Sequence, residues 1–149
     1  MISIERLDDF GKAAVEGCET LKSYVVVSCE AELREHMDKV REYPLLVVVI
    51  PQIAGDDVGY DNIAERNNAL FYVLKPMKEL MTHAQRMDLW SETQLGMKEL
   101  KEFIHYGRCG EFADMVDDVD FGGRDQQPEF QLVDCQGWSL MFSYTTDGF

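Results

Sequence analysis

Residues 43–52 read YPLLVVVIPQ, and the run 45–50 at the centre holds only Leu, Val and Ile. An unbroken apolar run of this length, rich in β-branched side chains and too short for a helix, is the pattern of a strand buried on both faces. Pro44 and Pro51 bracket it and are expected to stop it at either end. A strand covered on both sides needs a layer above and a layer below, so the flanking segments must supply them.

Upstream, residues 24–27 form a β-branched run, followed by 30–42, where Leu33, Met37 and Val40 keep i, i+4, i+7 spacing. This predicts a strand leading into a helix, with Ser28 or Cys29 at the N-cap. Further upstream, Ile4, Leu7, Phe10, Ala14 and Cys18 recur at helical spacing, so 4 to about 20 reads as an amphipathic helix that Gly11 and Gly17 weaken.

Downstream, 52–68 contains Gly55, Gly59, Asp56, Asp57, Asp61, Asn62, Asn67 and Asn68, turn-favouring residues that predict a long loop. Residues 69–74 read as a strand closed by Pro76. Next comes the longest helical pattern, about 77–106, with Leu80, Ala84, Met87, Trp90, Met97, Leu100 and Ile104 on one face and a break expected near Gly96. About 108–127 reads as an exposed acidic connector: 111–125 holds six acids against Arg124 alone, with a Gly122-Gly123 pair. The chain closes on a β-hairpin at about 129–146. Its turn is expected at Gln136-Gly137, and Trp138, Leu140, Phe142 and Tyr144 alternate with polar or outward positions. The sum is a single α+β domain over 1–149, a mixed or mainly antiparallel sheet packed by helices.

Composition narrows the function. The chain has 149 residues, 46% hydrophobic and 28% charged, and a net charge of −14. A chain this long buries roughly 70% of its unfolded surface, so a core forms without staples. The negative excess opposes non-specific binding to nucleic acid or to an anionic membrane. The longest apolar run falls far short of the ~20 residues of a spanning helix, and the first ten residues lack the basic start and apolar stretch of a secretory signal. These features predict a protein made in cytoplasm. Cys18, Cys29, Cys109 and Cys135 show no zinc-ligand spacing and read as reduced, mostly buried side chains.

No motif specifies a reaction. Neither G-x-G-x-x-G nor G-x-x-x-x-G-K-[ST] occurs. Asp117, Asp118 and Asp120 resemble part of a calcium loop but lack its remaining ligands, and Asp56, Asp57 and Asp61 sit among glycines that would hold a cation poorly. His36, His83 and His105 are scattered. His105 lies four residues from Cys109, with Gly107 between them, and reads as a histidine at a helix C-terminus. No catalytic residue, cofactor or metal is expected, and the chain reads as a non-enzyme.

The element order, carried by YPLLVVVIPQ (43–52), NALFYVLKP (68–76), ETQLGMKELKEFI (92–104) and GWSLMFSYTTDGF (137–149), resembles the tail terminator and tail-completion proteins of tailed bacteriophages. A helix at 30–42 is a departure from the usual family arrangement. The resemblance implies a virion structural protein of the neck, assembled in the host cytoplasm: a homo-oligomeric ring, commonly a hexamer, that caps the tail tube, contacts tube and head-connector proteins and lets DNA pass unbound. A carboxylate-lined conduit would repel a duplex that carries one charge per ~1.7 Å. Asp56, Asp57 and Asp61, or Asp114, Asp117, Asp118 and Asp120, are the candidate lining or interaction residues; solvated loops are the plainer reading of both groups. The alternative is an acidic inhibitor or immunity-type protein that mimics nucleic acid and blocks a basic enzyme.

Overall fold

The computed structural model describes residues 3–57, 63–105 and 120–147, with the backbone alone described in 52–57, 63–66, 120–126, 130–131 and 145–147. Along the chain run α1 (Ile4–Gly17), β1 (Ser23–Val27), α2 (Glu30–Met37), β2 (Leu45–Asp57), β3 (Ile63–Pro76), α3 (His83–His105), β4 (Asp120–Leu132) and β5 (Cys135–Asp147). The strands form one sheet in the order β1-β2-β3-β5-β4. β1 and β2 are parallel, joined through α2, and the remaining neighbours are antiparallel. This is the expected α+β class with a mixed, mainly antiparallel sheet.

β2 is the two-faced strand that its composition predicts. Leu46 and Val48 point into one apolar cluster with Leu7, Phe10 and Ala14 of α1 and Met97, Leu100, Phe103 and Ile104 of α3. Leu45 and Val47 point the other way, into a cluster with Val27, Leu74, Cys135 and Leu33 of α2. All four are wholly buried. Strand alternation thus divides the helices, α1 and α3 above the sheet and α2 below.

Pro51 does not end the strand. β2 continues to Asp57, with its register against β3 shifting between Val49 and Gln52. A proline lacks the N–H a ladder needs, so it is tolerated at an irregularity and beside a free edge. Both conditions hold here among the described residues, because β1 ends at Val27, opposite Val49. The expected loop at 52–68 is therefore mainly paired strand, with Gln52 opposite Asn68 and Asp57 opposite Ile63.

The long helix is shorter than 77–106 at its start. Thr82 closes the N-terminus: its hydroxyl accepts from the Gln85 N–H at 3.2 Å, and the Gln85 side-chain oxygen accepts from the Thr82 N–H at 2.9 Å. This reciprocal capping box leaves Leu80 outside the helix and 96% exposed. α3 runs through Gly96 without a break, because that residue lets the helix approach Val73 and Leu21 closely. Its buried face is Leu89, Thr93, Gly96, Met97, Leu100, Phe103 and Ile104. Ala84 and Met87, expected there, are exposed.

Two further expectations change at the C-terminus. Residues 120–127 of the supposed acidic connector belong to β4, and 108–119 lie outside the described residues. The hairpin turn is Val133-Asp134, with φ of 47° and 60°, not Gln136-Gly137. Positive φ at both central residues is the twist-matched geometry of a two-residue hairpin. Gly137 is instead a strand residue opposite Leu74, where a Cβ would collide with the Val73 carbonyl oxygen. The alternation that follows it is as predicted: Leu140, Phe142 and Tyr144 are buried in the upper cluster and Trp138 packs against it.

Candidate functional site

Extending β2 and β3 past β1 creates the most distinctive part of the fold. β1 reaches as far as Val49, and β4 begins at Asp120, opposite Ser143. Beyond these points β2, β3 and β5 continue alone among the described residues, with Ile53, Asn67 and Tyr144 on one row, Gly55, Glu65 and Thr146 on the next-but-one, and Asp56, Ala64 and Asp147 after that. From Val49 to Asp57 this tongue spans about 27 Å at ~3.4 Å per residue.

Its base is anchored in aromatic packing. Phe71 stacks on Phe10 at 5.5 Å and meets Phe142 edge-on at 5.4 Å, while Phe10 meets Phe103 at 5.9 Å. Phe142 leads to Tyr144 at 6.1 Å, and burial pushes the Tyr144 hydroxyl up to about 12. Asn67, opposite Tyr144, is wholly buried. Aromatic pairs of this geometry add about 0.5–1.5 kcal/mol each beyond area burial, so the tongue starts from a stiff footing.

Asp56 and Asp57 lie near the far end of the tongue, whose strand residues 53–57, 63–67 and 144–147 carry Asp56, Asp57, Glu65 and Asp147 against Arg66. Asp120 starts β4 at the tongue's root, on the row of Ser143, Asn68 and Gln52. The fold thus brings Asp56, Asp57 and Asp120 to the same end of the sheet, although Asp120 stands several rows away from the pair. Asp61, Asp114, Asp117 and Asp118 lie outside the described residues, as does Cys109 of the His105 pair. Among the described residues no three His, Cys, Asp or Glu side chains gather as a metal site, and no helix is long and apolar enough to cross a membrane.

Two surface grooves were not foreseen. One runs along the free edge of β1 between α1 and α2, lined by Glu5, Asp8, Asp9 and Tyr24, with Glu32 and His36 on the α2 side. Glu32 is held there by Ser28, whose hydroxyl donates at 2.6 Å and whose N–H donates at 3.0 Å. These bonds, the hydroxyl's first, lower the carboxyl below its usual range. The other lies beside α3 and β5, lined by Ser91, Gln94, Leu95, Lys98, Lys101 and Trp138, with the buried Met97 at its floor. The sequence signal for it was the Leu95, Lys98 and Lys101 flank of α3, which the periodicity separates from the buried face only once the helix rotation is known. Neither a family model nor a curated protein sequence matches the chain.

Proposed function

We propose that the chain is a structural protein of the phage neck, a ring that caps the tail tube and joins it to the head connector. The observation that carries the proposal is the acidic three-stranded tongue, projecting beyond β1 and β4 with Asp56, Asp57, Glu65 and Asp147 along it. Repeated around a ring axis, such tongues would supply a rim or lumen of one sign, which repels a sliding duplex and leaves it unbound. The element order from the N-terminal helix to the closing hairpin supports the same reading, as does a scaffold whose long strands and aromatic footing suit a part under mechanical stress. In this role the protein needs no cofactor, metal or catalytic group, and its partners are further copies of itself, the tail tube and the connector.

The deciding measurement is the mass of the purified protein, alone and with a tail-tube protein, by native mass spectrometry and sedimentation. A closed oligomer that stops tube growth is the expected result. A monomer that never assembles, even on the tube, overturns the reading. The acidic groove along β1 favours a second reading, an inhibitor of a basic enzyme, which a tight one-to-one complex with a salt-dependent on-rate would establish in its place.

A further inference from the structure

The two outer strands of the sheet differ in how they guard their edges. β4 carries Asp120, Arg124, Asp125 and Glu129, contains Pro128 and shifts register twice against β5. Charges, prolines and bulges are the devices that keep a strand edge from pairing with another chain. β1 has none of them. Its sequence is Ser-Tyr-Val-Val-Val, it pairs in unbroken register with β2 on one side, and what limits it is its length of five residues. Among the described residues, 23–27 make no backbone hydrogen bond outside that ladder, so alternate residues turn an N–H and a C=O outward.

The β1 edge lies in a groove whose walls carry one sign of charge. α1 contributes Glu5, Asp8 and Asp9 on the face of Tyr24 and Val26, and α2 contributes Glu32 on the face of Val25. Asp8 is held by the Tyr24 hydroxyl and Glu32 by the Ser28 hydroxyl. Lys12, one turn beyond Asp8, is outside the lining, and Lys22 turns its ammonium to the Glu19 carbonyl at 2.7 Å. The described lining therefore sets four carboxylates against His36, with no Lys or Arg. Ile4, 53% exposed, and Ile50 add apolar surface beside them.

We infer that the β1 edge accepts an extended, Lys- or Arg-bearing segment of a partner protein as an added strand. Main-chain bonds to 23–27 supply the affinity common to strand addition. Side chains of the added strand alternate, those on one face meeting Glu5, Asp8 and Asp9 and those on the other meeting Glu32, so the walls select basic residues. The same charge turns other occupants away. Nucleic acid and anionic lipid are repelled. The β4 edge of a second copy brings three acids and one arginine, and a second β1 edge sets four carboxylates against four. The partner is thus a different chain, and the inference holds under either reading of the function.

The probe is an acetylated and amidated octapeptide of alternating Lys and Val, titrated into the full chain at low salt and followed by backbone amide NMR. Saturable binding at about 1 mM or tighter is expected, with shifts centred on 23–27 and slower exchange of the outward amides there. A Glu-Val octapeptide is expected not to bind. Glu5→Gln with Asp9→Asn, folded by circular dichroism, is expected to weaken the Lys-Val peptide by at least about fivefold; Asp8 is left intact because it bonds the Tyr24 hydroxyl. A fully N-methylated Lys-Val peptide keeps the charge and loses every N–H donor, and is expected to bind at least about tenfold more weakly. Equal binding of the N-methylated peptide, shifts centred away from β1, or no saturable binding overturns the inference. A ring-forming protein that ignores the peptide overturns strand addition and leaves the neck reading standing, and a monomer that binds it does the reverse.

Discussion

The indole N–H of Trp138 on β5 donates to the backbone carbonyl of Trp90 on α3 at 3.3 Å, and the two rings meet edge-on at 5.8 Å. This contact fastens the long helix to the C-terminal strand at the end of the molecule away from the tongue. Nearby, the Thr93 hydroxyl bonds within α3, toward the Leu89 and Trp90 carbonyls, and Lys75 of β3 pairs with Glu92 of the helix. The Trp90 carbonyl keeps the Thr93 hydroxyl at 3.1 Å when the indole is removed. Trp138→Phe is therefore expected to cost about 0.5–1.5 kcal/mol, and Trp138→Ala about 2–3 kcal/mol, in urea unfolding followed by circular dichroism.

Gly137 sits one residue before this tryptophan, and its α-carbon faces the Val73 carbonyl so closely that a methyl group would overlap the oxygen. The obstacle is backbone of a central strand pair and cannot swing aside. Gly137→Ala is expected to destabilise by about 3 kcal/mol or more, a shift in the urea midpoint large enough to see without fitting. Wild-type stability in the alanine variant would rule out the close approach.

The turn residues respond in opposite directions. Asp134 is exposed at φ 60°, so Asp134→Gly relieves backbone strain without removing a contact and is expected to stabilise by about 0.5–1 kcal/mol. Val133 is more strained, at φ 47°, yet it is 6% exposed and packs in the lower cluster. Burial worth about 1.5–3 kcal/mol outweighs strain of ~1–2 kcal/mol, so Val133→Gly is expected to destabilise by about 1 kcal/mol. Paired thermal melts of the two variants check both signs.

The capping box at the start of α3 predicts that Thr82→Ala costs about 1 kcal/mol and that Gln85→Ala costs less, since the threonine supplies the acceptor for a helix N–H. The double variant, measured in the same urea titration, should fall short of the sum, because both bonds belong to one reciprocal pair.

Alkaline pH tests the footing of the tongue. Burial holds the Tyr144 hydroxyl at about 12 against an ordinary 10.0, so the folded protein keeps a proton that the unfolded chain releases. Its contribution is fully present below pH 10 and is lost as pH rises through 12. A tenfold difference in proton affinity between the folded and unfolded chain is worth about 1.4 kcal/mol, so the full loss approaches ~3 kcal/mol. Cys135 acts in the same direction over a range that starts lower, from 9.0 to about 12, through burial first and the neighbouring Asp134 second. Tyr144→Phe is expected to flatten the fall in stability between about pH 9 and pH 11.5, measured by urea unfolding at each pH. An unchanged slope would show that the hydroxyl is not desolvated.

The α+β class, the two-faced strand at 45–50, the start of the helix after Cys29, which ends at Met37 and not at 42, and the alternation from Trp138 to Tyr144 were determined by the sequence alone. In each of these a local period states which side chains share a face, and burial by any partner satisfies it. Pairing between distant segments decided the rest. Residues 52–57 and 63–68 look like loop because Gly, Asp and Asn favour turns, but the hydrogen bonds available between them, and from β3 to β5, outweigh that preference. The turn moved from Gln136-Gly137 to Val133-Asp134 because Gly137 is needed where two backbones approach. The charge of −14 was plain in the composition, whereas the gathering of acids on the tongue and along the β1 edge depends on strand pairing, and the side chains that α3 leaves outside depend on which of its faces the sheet buries. That rotation is set by packing against Val73, Leu21 and the aromatic residues of the upper cluster, through contacts between residues far apart in the chain.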